Sequence, residues 1–114
     1  MSNEPSRGEI WLVNLEPVVG HEQGGRRPCL VVTNDTFNHG PASMVLVVPI
    51  TAKDRRIPIH VRLEPPEGGM KATSFLMPQM IRAVSQNRLV ERWGIVSQAR
   101  LAEVEKSLRV LMNL

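Results

Sequence analysis

Two apolar runs, CLVVTN at Cys29 to Asn34 and MVLVVPIT at Met44 to Thr51, leave this chain few folds. Each is nearly continuous rather than alternating and is bounded by turn residues, the pattern of a central strand buried on both faces. EIWLVNL, Glu9 to Leu15, alternates instead, with Ile10, Leu12 and Asn14 on one side and Trp11, Val13 and Leu15 on a very apolar other side. IHVRL, Ile59 to Leu63, also alternates and is expected to keep one face in water. The PPEGG at Pro65 to Gly69 is a turn. TSFLMPQMIRAV, Thr73 to Val84, resumes the strand pattern until Pro78 imposes an edge or a bend.

The period then changes. From Ser97, the expected N-cap, SQARLAEVEKSLRVLMNL sets Leu101, Val104, Leu108 and Leu111 on one helical face and charges on the other. Short strands at turn-spaced intervals followed by one helix predict a mainly β fold with a C-terminal helix, built as a strongly bent antiparallel sheet or partly closed barrel. With 114 residues the chain has room for one domain, because halves would fall below the size that buries an adequate core. The expectation is a single domain over 1–114, with 1–6 a flexible N-terminus.

Composition excludes several classes. Apolar residues at 42% and charged residues at 22% are ordinary globular usage, unlike a disordered or collagen-like chain. One cysteine, Cys29, makes no intramolecular disulfide, and three histidines with it fall short of a structural zinc set, which fits a reducing cytoplasm. MSNEPSRGE lacks an apolar segment and no run approaches the ~18 residues of a membrane span, so a soluble, unexported protein is expected. The formal charge of +3 comes from 11 arginines against 3 lysines. A guanidinium bonds phosphate through parallel donors, so this bias suits phosphate recognition, although genomic base composition produces it equally well.

Three stretches could carry chemistry. The loop GHEQGGRRP, Gly20 to Pro28, holds His21, which can exchange a proton near neutrality, and Glu22, which could accept one if its pKa were raised. Arg26 and Arg27 could hold a phosphate, and Gly24 and Gly25 let backbone approach a ligand. The plainer reading is a hairpin loop whose charges are solvated. Thr51 ends a buried strand, where its hydroxyl either emerges into a cleft or is satisfied as in any strand-ending threonine. QMIRAVSQNRL gathers Gln79, Arg82, Ser85, Asn87 and Arg88, mostly as turn and surface. His39 and His60 have no metal spacing, and Trp11 and Trp93 are expected in the core rather than as platforms for bases. No P-loop, dinucleotide fingerprint, nucleophile elbow or zincin motif is present.

In order, RGEIWLVNLEPVVGHEQGGRRPCLVVTNDTFN, LVVPIT and IRAV followed by RL closely resemble the MazF/PemK family of toxin–antitoxin ribonucleases, from about Arg7 to the C-terminal helix. Four motifs in the family's order, the GHEQGGRRP loop, the NDTFN turn, the PIT strand end and IRAV with RL, make a specific signature. The resemblance implies an SH3-like barrel, similar to that of the CcdB toxin, in a homodimer. It implies a cofactor-free, metal-independent endoribonuclease cutting single-stranded messenger RNA at short sequences. The 2′-hydroxyl attacks phosphorus, giving a 2′,3′-cyclic phosphate and a 5′-hydroxyl end. The family's catalytic arginine, next to the loop proline, matches Arg27, and its threonine matches Thr51. His21 occupies a position implicated in acid/base work in some members, with Glu22 a further catalytic candidate. Gln23, Gly24, Gly25, Arg26, Lys53, Gln79 and Arg82 are the expected RNA contacts.

One departure shifts weight among these residues. PemK-like members use an arginine and an aspartate just upstream of IRAV, where this chain has Met77 and Gln79. The mechanism therefore falls on Arg27 and Thr51, with His21 or Glu22. The partner implied is an antitoxin whose acidic, disordered segment folds onto the basic groove. Two other readings differ in class. A CcdB-like inhibitor would grip a protein such as DNA gyrase, but relies on a C-terminal tryptophan that RVLMNL lacks. A barrel that binds RNA without cutting it would show salt-dependent affinity for intact RNA.

Overall fold

A computed structural model describes residues 4–16, 20–21 and 24–114. Among them, β1 (Glu9–Asn14), β2 (Arg26–Val31), β3 (Met44–Thr51), β4 (Val61–Leu63), β5 (Ser74–Leu76), β6 (Arg82–Ser85) and β7 (Leu89–Ile95) pair antiparallel. The order is β4-β5-β3-β2-β1-β7, with β6 also on β3. A short helix α1 (Asp35–Asn38) follows β2, and α2 (Gln98–Met112) ends the fold. Among the described residues no helix is long and apolar enough to cross a membrane.

The two apolar runs do what their composition demands. Alternate residues of β1 to β3 feed two separate cores. Ile10, Leu30, Val48 and Ile50 join Val61, Leu63, Leu76, Leu101 and Val104 in the first, while Trp11, Val13, Cys29, Val31, Val45 and Val47 join Leu15 and Val84 in the second. Both faces of β2 and β3 are thus buried. β3 supplies the bend. Its first half pairs with β6 through Met44 to Val47, and its last residues, Ile50 and Thr51, pair with Leu76 and Phe75 of β5. A 3-10 turn at Pro78–Met80 separates β5 from β6, so Pro78 breaks the run where the sequence says it must.

Several boundaries differ from the sequence reading. β2 begins at Arg26 rather than Cys29 and ends at Val31, because its pairing with β1 reaches back through Val13 to Arg27 and Asn14 to Arg26. Hydrophobicity marks the buried part of a strand, whereas hydrogen bonding sets its length. β4 starts at Val61, leaving His60 outside it, and keeps Val61 and Leu63 buried with Arg62 exposed. β7 is a strand with no clean sequence signal, since Glu91 and Arg92 and two register shifts against β1 break its alternation.

Helix α2 begins as expected. Ser97 is the N-cap, its hydroxyl oxygen accepting from the Arg100 amide at 3.1 Å. Leu101 and Val104 are buried and Leu108 packs against them, but Leu111 is 45% exposed, so the apolar face leaves the core in the last turn. Glu67, in a 3-10 turn at Glu67–Gly69, accepts from the Ser97 amide and hydroxyl and from Arg100, tying that turn to the start of α2. Burial opposes charge on Glu67, but the bonds from Ser97 and Arg100 outweigh it and hold the carboxyl below its ordinary range. The turn is thereby fixed over β7.

Candidate active site

A cavity of about 790 Å³ opens where β2, the end of β3, the segment after the 67–69 turn and β7 meet. Arg27 and Thr51 both line it, as do Gly24, Arg26 and Pro28. The start of β2 at Arg26 is what brings the first arginine pair here: strand pairing, not a mobile loop, positions Arg27 opposite Val13. Its Nε donates to the Gly24 carbonyl at 3.2 Å and its Nη1 to the Ile50 carbonyl at 3.5 Å. Those bonds use two of five N–H donors, and the others are available to an anion. Thr51 is 5% exposed, and its Oγ1 accepts from the Lys53 amide at 3.2 Å, which leaves the hydroxyl hydrogen to be donated to a ligand.

The remaining wall comes from residues the sequence reading did not single out for binding. Met70, Lys71, Ala72 and Ser74 line one side, and Glu91, Arg92 and Trp93 line another. Arg26, Arg27, Lys71 and Arg92 therefore face the cavity against one lining carboxylate, Glu91, among the described residues. Such a surface favours an anion. Arg92 is held in turn by Glu9, whose Oε2 accepts from its Nε at 2.6 Å. Burial opposes charge on Glu9, but hydrogen bonds from Trp11, Arg92 and the Ser6 amide outweigh it and keep the carboxyl below its ordinary range. The placement depends on two glycines. A Cβ on Gly94 would lie 2.6 Å from the Gly68 carbonyl carbon, and one on Gly69, at φ +78°, would collide with the Trp93 carbonyl. Only glycine there lets the turn press onto β7.

The other predicted site residues are distributed as follows. His21 is exposed in a turn and does not line the cavity, while Glu22 and Gln23 lie outside the described residues. Gly25, at φ +69°, donates its amide to Glu16 at 2.6 Å beside the cavity mouth at Gly24. Lys53 is exposed two residues past Thr51. Gln79 is exposed and bonded to His60 at 2.8 Å, and burial holds that imidazole below its usual pKa. Arg82 is half-buried on β6, its Nη1 3.5 Å from the Leu15 carbonyl. Neither Gln79 nor Arg82 lines the cavity. Met77, at the position that breaks from the family pattern, is core. Cys29 is no nucleophile: burial pushes its thiol up to about 12 despite Arg82 and Arg27 nearby. Trp11 is core as expected, whereas Trp93 is half-buried in the cavity wall. The signal that could have found β7 is its apolar frame, Leu89, Trp93 and Ile95, around a charged pair.

Residues 6–112 match the family described as PemK-like, MazF-like toxin of type II toxin-antitoxin system. The endoribonuclease MazF of Staphylococcus epidermidis is 32% identical over 109 residues, covering 95% of this chain and 91% of the relative. The crystal structure of MazF from Deinococcus radiodurans superposes with a TM-score of 0.89 at 27% identity, covering 99% of this chain and 100% of that one. A mycobacterial endoribonuclease, solved in complex with its cognate antitoxin, has the same fold at a TM-score of 0.79 and 22% identity, over 99% of this chain and 97% of its own.

Proposed function

Because the chain belongs to the PemK-like, MazF-like toxins of type II toxin–antitoxin systems, we propose that its cavity cuts single-stranded RNA at a phosphate held between Arg27 and Thr51. It is an endoribonuclease of that family. The observation that carries the site is the convergence of the two residues, from different strands, on one basic cavity.

In this reading the 2′-hydroxyl beside the scissile bond attacks phosphorus. The O2′–P bond forms, the P–O5′ bond breaks, and the products carry a 2′,3′-cyclic phosphate and a 5′-hydroxyl. One proton leaves O2′ and one reaches O5′. His21 and Glu22, which precede β2 in the sequence, are the candidates to move them. Charge gathers on the non-bridging oxygens in the transition state, where a guanidinium already fixed by Gly24 and Ile50 stabilises it without reorganising. Thr51 donates to the same phosphate from a buried strand end. Protein cations thus supply the electrostatic work, so cleavage needs no metal ion. Arg26, Lys71 and Arg92 bind the flanking phosphates, with Gly24, Gly25 and Lys53 beside them and Gln23, Gln79 and Arg82 as further RNA contacts.

A homodimer and an acidic antitoxin segment complete the reading, in the cytoplasm. Val110, Leu111, Met112 and Leu114 at the end of α2 are exposed apolar surface that a second chain can cover. Incubation with single-stranded RNA in a chelator, repeated with Arg27→Ala, tests the proposal. Intact RNA with the native protein, or equal cutting by both, overturns it.

A further inference from the structure

Trp93 departs from the alternation of its strand. Ile10 pairs with Gly94 and Trp11 with Arg92, so Trp93 is the extra residue of a β-bulge and has no partner on β1. A bulge re-aims the side chain it carries, and such bulges gather beside active sites. Here the half-buried indole packs against the first core and also lines the cavity that holds Arg27 and Thr51. Its edge is fixed, because Nε1 donates to Glu91 Oε1 at 2.9 Å. Its backbone is fixed as well, by the 67–69 turn pressed onto Trp93 and Gly94. The neighbouring Arg92 is clamped by Glu9. A rigid aromatic wall thus stands beside a phosphate-binding cavity.

Building on the nuclease reading, we propose that Trp93 is the floor of a nucleobase subsite: a base next to the scissile phosphate stacks on its indole while Arg92 neutralises the adjoining phosphate. Stacking accepts any base, so this subsite supplies affinity and alignment rather than sequence choice. It also explains why a charged pair is tolerated beside a tryptophan on an edge strand.

The probe is a single-stranded RNA oligonucleotide with every 2′-hydroxyl methylated, which can bind but cannot be cut. Trp11 is buried, so the emission that changes on binding belongs to Trp93, and Trp93→Leu provides the background. Saturating probe is expected to quench native emission and leave Trp93→Leu unchanged. With cleavable RNA, Trp93→Leu should raise KM roughly ten-fold with kcat within about two-fold, and Trp93→Phe should recover most of the loss. Emission indifferent to bound probe, or a folded Trp93→Leu with native KM, overturns the subsite. Should Trp93→Leu fail to fold, native quenching and the KM of Trp93→Phe decide. Native protein that quenches but cuts nothing overturns the nuclease reading and leaves the subsite standing, so the two failures are distinguishable.

Discussion

Arg27 of β2 reaches across to β3, where its Nη1 lies 3.5 Å from the carbonyl of Ile50, the residue before Thr51. The two side chains assigned to the phosphate are therefore coupled through one backbone group, and neither sits on a free loop. A geometry set by paired strands is more exact than one set by a loop.

Arg27→Ala should lower the cleavage rate by roughly 10²- to 10³-fold, the cost of removing one preorganised donor from a transition-state oxyanion. Arg27→Lys should not restore it, since an ammonium cannot reproduce the fork that bonds Gly24 and Ile50 and still reaches a ligand. Single-turnover cleavage of a short RNA reads this directly, with thermal melting as the control for folding. A lysine variant with native rate would show that charge alone matters at this position.

Thr51→Val keeps the shape of a strand residue that is nearly buried and removes only the hydroxyl. The Lys53 amide loses its acceptor, a cost of about 1 kcal/mol. The rate should fall by roughly ten-fold or more, with stability changed only by that small amount, and Thr51→Ser should recover most of the rate. Native cleavage by Thr51→Val would confine Thr51 to a structural role.

Much of this arrangement is legible in the sequence, and the exceptions have physical causes. The runs around Leu30 and Val48 announce strands buried on both faces because burial leaves a direct mark on composition. Pro78 and Ser97 announce a break and a cap because each removes or supplies a backbone hydrogen bond. The start of β2 leaves no such mark, since Arg26 and Arg27 enter the strand through pairing with Asn14 and Val13. β7 is hidden for a different reason. Its register slips twice against β1, so its side chains follow no period of two, and the slips are what bring Trp93 to the cavity. Resemblance supplied Arg27 and Thr51, whereas Lys71, Arg92 and Trp93 required the fold.

Gly94→Ala places a methyl 2.6 Å from the Gly68 carbonyl carbon and 2.7 Å from the Gly69 amide nitrogen. Both are backbone atoms, so the 67–69 turn must move away from β7. Overpacking of this kind costs about 1–3 kcal/mol, read as a lower denaturant midpoint at unchanged slope. Activity of the folded fraction should fall too, because Met70, Lys71 and Ala72 follow that turn into the cavity wall. A native midpoint would mean that the close approach is not maintained in solution.

Acid should loosen the same wall from its other side. Glu9 holds Arg92 and Trp11, and its folded carboxyl titrates below the ordinary value of 4.5. The unfolded chain therefore binds more protons as pH drops through that value, and the stability Glu9 contributes, fully present above it, is lost as pH falls through the lower folded pKa. Glu9→Gln should be less stable at pH 7 by about 1 kcal/mol and should show a shallower decline below about pH 5, measured by urea unfolding across a pH series. The same variant should bind the methylated RNA more weakly at pH 7, because Arg92 loses the carboxylate that orients it. Parallel stability curves for the two proteins below pH 5, with equal RNA affinity, would show that the Glu9–Arg92 pair neither stabilises the fold nor places the guanidinium.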